Sequence, residues 1–468
     1  GIKLSDQKEQ SVDLLIEGGV VITVDKDRHV YSPGYVAIRD GKIVGVGDAS
    51  AHPYKADTVI DASGKTVLPG LVNAHNHLDQ SLYRGCFDGR RDSRAYMLAM
   101  SMQLTEAHAK QAASLSLLEQ LHQGITTTQE NHWTHYHIRS TDGICDAIDE
   151  SGMRSFVSRG MNDVEKYTMP ELRESVTDVL EDLDRLEEEH DSERIQITSE
   201  PCTILRCKPV TILALREWAL KREKKWCIHL SQTRERELAL ETVGMGSVEY
   251  AEHLGVLDQS MLAIHCSGIS DNEVELLGEH EVSVSHCPVP IMRGGGRVPP
   301  IWRLEELGAT VAIGTDGSAT NNGQNIWEAM KMAVYMQRVR FQEKFLGTAE
   351  QALEMTTIKA AEALGMADRT GSIEVGKEAD IAILEADQLH LEPNAMLVNN
   401  LVLSSCTTRA DTVLVGGEVI LRNGRSTVLD EDRVISQARE AHVRMVKDAG
   451  LEGEISLVPQ WPTAIESG

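Results

Sequence analysis

The chain has 468 residues and a formal net charge of −26, from 46 Lys and Arg against 72 Asp and Glu. That balance argues against nucleic acid and anionic membrane surfaces as partners, and its plainest use is solubility. The length excludes one ordinary domain unless that domain is a barrel, and 41% hydrophobic residues supply a large core. No apolar run reaches the roughly 18 residues of a membrane span, and "GIKLSDQKEQ" lacks the charged-then-apolar layout of a secretory signal. The eight cysteines are scattered without a C-x-x-C pair. This fits a reducing cytoplasm, where Cys is a small buried hydrophobe.

Residues 1–69 read as short strands, "DLLIEGGVVITVD", "GYVAIRDGKIVGVGD" and "TVIDASGKTVLPG", with turns at "EGG", "RDGK" and "ASGK". Over 70–375 short apolar runs alternate with long amphipathic segments, as in "HAKQAASLSLLEQLHQ" then "GITTTQEN", and "PVTILALREWALKREKK" then "WCIHL". That rhythm predicts an α/β fold, a (β/α)8 TIM-like barrel whose catalytic groups sit at strand C-termini. Residues 376–468 return to strands with Gly-centred turns and add one charged helix, "DEDRVISQAREAHVRMVKDAG". The acidic segment "ESVTDVLEDLDRLEEEHDSER" reads as a solvated outer helix.

Four places put His or Asp directly after an apolar strand: "VLPGLVNAHNH" (His75, His77), "WCIHL" (His229), "MLAIHCS" (His265) and "VAIGTDGS" (Asp316). Residues two apart in a strand share a face, so His75 and His77 can point one way. One such His alone is more often structural than ligating. All of them, in order and each at a strand end, point to a site for one divalent ion, Zn, Co, Fe or Mn. Water on such an ion falls in pKa to roughly 7 and becomes a nucleophile.

These motifs resemble the amidohydrolase superfamily over essentially the whole chain. "PGLVNAHNH" looks like its first-strand H-x-H, "GITTTQEN" its second strand, and "IHLSQT", "IHC" and "GTDG" its fifth, sixth and eighth. "TGSIEVGKEADIAIL" looks like its chain-end signature. The resemblance implies a distorted (β/α)8 barrel with a β-sandwich built from both chain ends. It implies a mononuclear site held by His75, His77, His229 and Asp316. His265 would polarise the bound water, with direct ligation open, and Asp316 would pass its proton to the leaving group. The fourth strand, "IQITSEPCTIL", ends without a Lys, which argues against a binuclear site. Related enzymes commonly form dimers or larger assemblies, so a homo-oligomer is expected.

Within the superfamily the chain is nearest the aminohydrolases and chlorohydrolases, and it departs from them twice. Their fifth strand usually reads H-x-x-E, with the Glu protonating a ring nitrogen. Here that position is Gln232, which hydrogen-bonds but cannot shuttle a proton. Glu235 and Glu237 fall in what reads as the next helix and are poor substitutes. The loop after "VSVSHCP" is apolar, Pro288 to Met292, where relatives carry polar residues. Together these favour a less polar substrate whose scissile carbon is already a carbonyl: an amide, urea or (thio)carbamate, such as a phenylurea or thiocarbamate herbicide. The alternative is a deaminase or dechlorinase of an aminated heterocycle (triazine, purine or pterin), with another acid replacing Gln232. A non-catalytic scaffold ranks last, because every ligand is present.

Further pocket candidates are Gln232 itself, His132 and Trp133 from "QENHWTHYH", and Gln80 and Tyr83 from "HLDQSLYRG". His135 and His137 read as surface residues. His286 either faces substrate or caps its strand, and Tyr83 is either pocket wall or packing. Ser318 to Asn322 would orient Asp316. The Gly-rich Arg293–Arg297 segment reads as a flexible loop.

Overall fold

The computed structural model describes residues 8–232, 234–404, 406–459 and 461. Two four-stranded parallel sheets lie at its centre. The first joins, in order, β6 (Leu71–Asn76), β7 (Ile125–His132), β8 (Arg154–Met161) and β9 (Ile195–Pro201). The second joins β10 (Trp226–Leu230), β11 (Met261–His265), β12 (Ser283–His286) and β13 (Thr310–Ile313). Nearly every residue of these strands is buried, as parallel strands covered on both faces require. At one seam Thr203 bridges His229 in parallel, and the His229 N–H donates to the Cys202 carbonyl at 2.9 Å. At the other, the Asp316 N–H donates to the His75 carbonyl at 3.0 Å. Eight parallel strands in chain order, met at both seams, fit a TIM-like barrel. Its two halves are separate ladders joined by single bonds rather than one continuous ladder.

Both chain ends share one nine-stranded sheet, built from β1 (Gln10–Ile22), β2 (Val30–Arg39), β3 (Lys42–Asp48), β4 (Tyr54–Asp61), β5 (Thr66–Pro69), β14 (Ile381–Leu384), β15 (Ala410–Val415), β16 (Glu418–Arg422) and β17 (Arg425–Ser426). The ends meet where β5 pairs antiparallel with β14, Leu68 opposite Ala382. Ile16, Val36, Ile38, Val67, Ile381 and Leu414 form its core, separate from that of the parallel sheets. The terminal helix Glu431–Asp448 packs back toward the barrel: His122 bonds Glu431 at 2.7 Å, and the His442 ring donates to the Leu82 carbonyl. Cysteine is used as expected, with six of the eight buried and all eight unpaired. Among the described residues, no helix is long and apolar enough to cross a membrane.

A buried ion pair ties barrel to terminal sheet. Arg154 on β8 donates Nε to Asp380 Oδ2 at 2.7 Å, and Asp380 Oδ1 accepts the Gly416 N–H at 2.8 Å. Replacing Arg154 by Leu strands a carboxylate out of water, so a loss of about 3–5 kcal/mol is expected. A fall in the midpoint of chemical unfolding checks it; an unchanged midpoint would deny this pair its structural role.

Candidate active site

β6 delivers His75 and His77 with ring centroids 4.7 Å apart and planes at 85°. β10 delivers His229, whose ring lies 4.9 Å from that of His75, 5.7 Å from that of His77 and 5.4 Å from that of His265 at the end of β11. Asp316 follows β13. Its Oδ1 is 3.4 Å from Nε2 of His75 and 3.4 Å from Nε2 of His77, and its Oδ2 is 3.5 Å from Nε2 of His265. All five side chains are buried. His265 and Asp316 hold φ of 79° and 61°, left-handed values that cost a non-glycine residue about 1–3 kcal/mol each. Two hydrogen bonds hold Asp316 there: its N–H to His75, and the Gly317 N–H to its Oδ1 at 2.7 Å. Gly314 lies so close to β6 that a Cβ would sit 2.7 Å from the His75 nitrogen.

The imidazoles are aimed by their outer nitrogens. His75 Nδ1 donates to Gln129 Oε1 at 3.0 Å, and His77 Nδ1 donates to the Asn131 carbonyl at 2.8 Å. Gln129 is oriented in turn, since its Nε2 donates to the Glu130 carbonyl at 2.8 Å and to Ser158 at 3.0 Å. Both Nε2 lone pairs therefore face Asp316. Burial, then the neighbouring His75, pushes the His77 ring down; burial, then His75 and His265, pushes His229 well down; burial takes His265 to about 4. These rings are neutral at pH 7, the state a metal ligand needs. Burial raises the Asp316 carboxyl, and the charges that His75, His77 and His265 carry when protonated lower it by more, so that the net shift is well downward.

Nε2 of His75 and Nε2 of His265 are buried without a hydrogen-bond partner among the described residues, which costs about 1–3 kcal/mol per polar group. His75, His229 and His265, and likewise His75, His77 and Asp316, bring their ligand atoms within 4.8 Å of one another. Neutral imidazoles, an ionised carboxylate and orphaned inward nitrogens fit a divalent cation.

A cavity of about 570 Å³ opens on this cluster, lined by His77, His229 and Asp316. Gln232, Trp133 and Gln80 line it as expected, and Gln80 Oε1 also accepts the Ala319 N–H at 3.1 Å. Other expectations need correction. His132 is 1% exposed and off the cavity, because its Nε2 is tied to Ser140 at 2.8 Å. Tyr83 is core packing, its hydroxyl donating to Asp79 at 2.8 Å. His286 is fully buried off the cavity with both ring nitrogens unpartnered, and burial drives its pKa to about 3. His135 is buried, not superficial, and bonds Thr141 at 2.7 Å. The apolar loop is a short helix, Pro288–Arg293, that does not line the cavity. In the Gly-rich segment Arg293 pairs with Asp88 and Arg297 with Glu237. Of the Ser318–Asn322 stretch, Asn321 steadies the turn by donating to the Thr315 carbonyl at 2.6 Å.

Some participants are absent from the sequence expectations, and one, Glu235, is named there only as part of the next helix and a poor substitute for an acid at position 232. Asn73 clamps the Asp316 turn, accepting the Thr315 N–H at 3.0 Å and donating to Thr315 Oγ1 at 2.8 Å. Arg94, Arg206 and Glu235 line the cavity, so its wall is more polar than expected. Asn73 lies two residues before His75 on the same strand face, a signal available from spacing. The arginines sit in segments without any local motif.

A parallel α/β scaffold with neutral imidazoles and one carboxylate gathered at its strand ends defines a metal-dependent hydrolase class. The chain belongs to the amidohydrolase family, whose sequence pattern matches residues 66–420. It is similar to the 5'-deoxyadenosine deaminase of Methanosarcina acetivorans, 31% identical over 443 residues that cover 93% of this chain and 99% of that one. It is also similar to the 5-methylthioadenosine/S-adenosylhomocysteine deaminase of Desulforudis audaxviator, 31% identical over 93% of this chain and 99% of the relative. A mutant atrazine chlorohydrolase from Arthrobacter aurescens, solved with zinc and atraton, superposes with TM-score 0.87 at 24% identity, covering 92% of this chain and all of that one. The protein is therefore a metal-dependent amidohydrolase acting on C–N bonds.

Because Gln129 fixes the His75 ring, Gln129→Leu is expected to lower divalent-metal affinity by about 10–100-fold. Competition against a chromophoric chelator measures this, and an unchanged affinity would remove Gln129 from the site.

Proposed function

We propose that the protein hydrolyses the exocyclic C–N bond of an aminated heterocycle, using one divalent cation held by His75, His77, His229 and Asp316. The observation that carries the hydrolytic centre is the convergence of three Nε2 atoms on the Asp316 carboxylate at 3.4–3.5 Å. A bound cation supplies Lewis acidity and a water of lowered pKa. Asp316, ionised and held by the Gly317 N–H, is the group placed to take a proton from the attacking water. His265, neutral and beside Asp316, would hold that water by a hydrogen bond. Trp133 and Met97 offer apolar surface to a ring, while Gln80, Gln232 and Arg94 offer polar contacts along the same cavity.

The deaminase relatives favour this reading over hydrolysis of an open-chain carbonyl. One premise of the open-chain reading also weakens, since the apolar Pro288–Met292 segment lies away from the cavity. That second reading, a urea or (thio)carbamate of the phenylurea or thiocarbamate herbicide type, keeps one observation in its favour: position 232 on the cavity wall carries an amide, not an acid. We further read the two parallel sheets as one closed (β/α)8 barrel spanning 70–375. The terminal sheet we read as a sandwich folded on its own core, supported by the bridge from Lys42 to Glu378.

The test is a panel assay of the chain loaded in turn with Zn, Co, Fe and Mn. Ammonia release from 5'-deoxyadenosine, adenosine or an aminotriazine is expected, and chelation is expected to abolish it. Amine or thiol release from a phenylurea or thiocarbamate, with no ammonia from any ring, would replace the first reading by the second.

A further inference from the structure

We propose that Glu235 is the proton donor to the substrate nitrogen, supplying the proton that Gln232 cannot; the inference rests on the ring-hydrolysis reading above. Glu235 opens the helix Glu235–Val243, and its N–H donates to the Gln232 carbonyl at 2.9 Å. Ser231, at φ 56°, turns the chain off β10 and donates its N–H to Glu235 Oε1 at 2.8 Å. The carboxyl is thereby folded back into the cavity that His77, His229, Gln232 and Asp316 line. Its second oxygen has no hydrogen-bond donor among the described residues, and no cation lies within 4 Å of either oxygen there. Glu237, two residues on, is spent on Arg297 at 2.7 Å.

The surroundings set the acid's strength. Burial pushes the Glu235 carboxyl up to about 7, against the pull of the Ser231 N–H and the Arg206 charge. The other groups facing it are Arg94 and Arg234 along the cavity, the thiol of Cys266 and, at the cluster, neutral His229 and ionised Asp316. A carboxyl so placed is present in substantial part as the acid at neutral pH, the condition for donating.

The proton inventory closes with these two carboxyls. Water adds its oxygen to the carbon bearing the amino group, and Asp316 takes one of its protons. The ring C=N electron pair moves to nitrogen, which takes the proton of Glu235. The tetrahedral carbon then becomes a carbonyl: the C–N bond to the amine breaks with its electron pair, the amine leaves as ammonia with the proton from Asp316, and the hydroxyl proton returns to Glu235. One water is consumed, one ammonia leaves, and both carboxyls regain their starting states.

The experiment compares the metal-loaded wild type, Glu235→Gln, and the double variant Gln232→Glu/Glu235→Gln. The substrate is whichever the panel shows to be turned over, so a failed ring reading is seen before this comparison begins. In the wild type, kcat/KM is expected to fall as pH rises through about 7, because the acid form is lost. Glu235→Gln, which keeps an oxygen for the Ser231 N–H, is expected to lower kcat by about 10²–10⁴-fold and to abolish that limb. Metal content and thermal midpoint should not change. The double variant should recover at least tenfold of the loss. Glu235→Gln within threefold of wild type, with the alkaline limb retained, would overturn the proposal. So would a variant whose kcat loss tracks lost metal or lost fold and is not recovered by the carboxyl at 232.

Discussion

Four imidazoles and one carboxylate share a pocket nearly closed to water, and the rest of the structure follows from keeping them there. His75, His77 and His265 bring Nε2 to Asp316 at 3.4–3.5 Å, and His229, its ring 4.9 Å from that of His75, completes the ring of contacts. Neutrality comes from burial, which drives the His77, His229 and His265 pKa values down. Inward presentation comes from Gln129 and the Asn131 carbonyl, both on β7, the strand beside β6. Convergence comes from strand ends meeting at the seam where Asp316 bonds back to His75.

That arrangement stores tension. Asp316 and His265 occupy left-handed backbone conformations, and two of the imidazole nitrogens have no hydrogen-bond partner among the described residues. The Asn73–Thr315 clamp and the Gly317 N–H hold the carboxylate in place through hydrogen bonds of the protein itself. The site is thus preorganised by hydrogen bonds whose members never touch the reacting atoms, which is how a metal site avoids reorganising when its ion and substrate arrive.

The interior carries more acid than the site alone explains. Glu200, on β9 behind His229, is fully buried with neither oxygen bonded, and burial pushes its carboxyl well up. Glu130, on β7, is driven the same way by burial, then by Asp79. A carboxyl shifted upward places less negative charge beside the imidazoles. The cost of burying a carboxyl is met by neutralising it, as the low-dielectric interior demands. The same physics applied to Glu235, at the cavity wall instead of the barrel interior, yields an acid near neutrality.

The positions that carry chemistry directly were legible in the chain. His75, His77, His229, His265 and Asp316 each follow an apolar run, and such a run becomes a buried strand whose end faces the mouth of a parallel sheet. The split into strand-rich ends and a βα centre was legible for the same reason, since hydrophobic period follows element type. Gln232 and Trp133 line the cavity, and each lies within a few residues of a strand end. What failed was everything decided by distance in space. His132 and Tyr83 read as pocket residues, but Ser140 and Asp79, which hold them in the core, are chosen by packing. The Pro288–Met292 segment read as an apolar loop bearing on the substrate's polarity, but it coils into a helix that does not line the cavity. Glu235 does open the next helix, as read, but its spacing from His229 says nothing about the turn at Ser231 that swings its carboxyl inward. The sequence alone determined which groups can bind a cation and at which strand ends they sit, because those depend on local pattern. Only the tertiary structure decided which acid lines the cavity and how strong it is, since the chain's turn places the carboxyl and burial and neighbouring charge set its pKa, all properties of the assembled cavity.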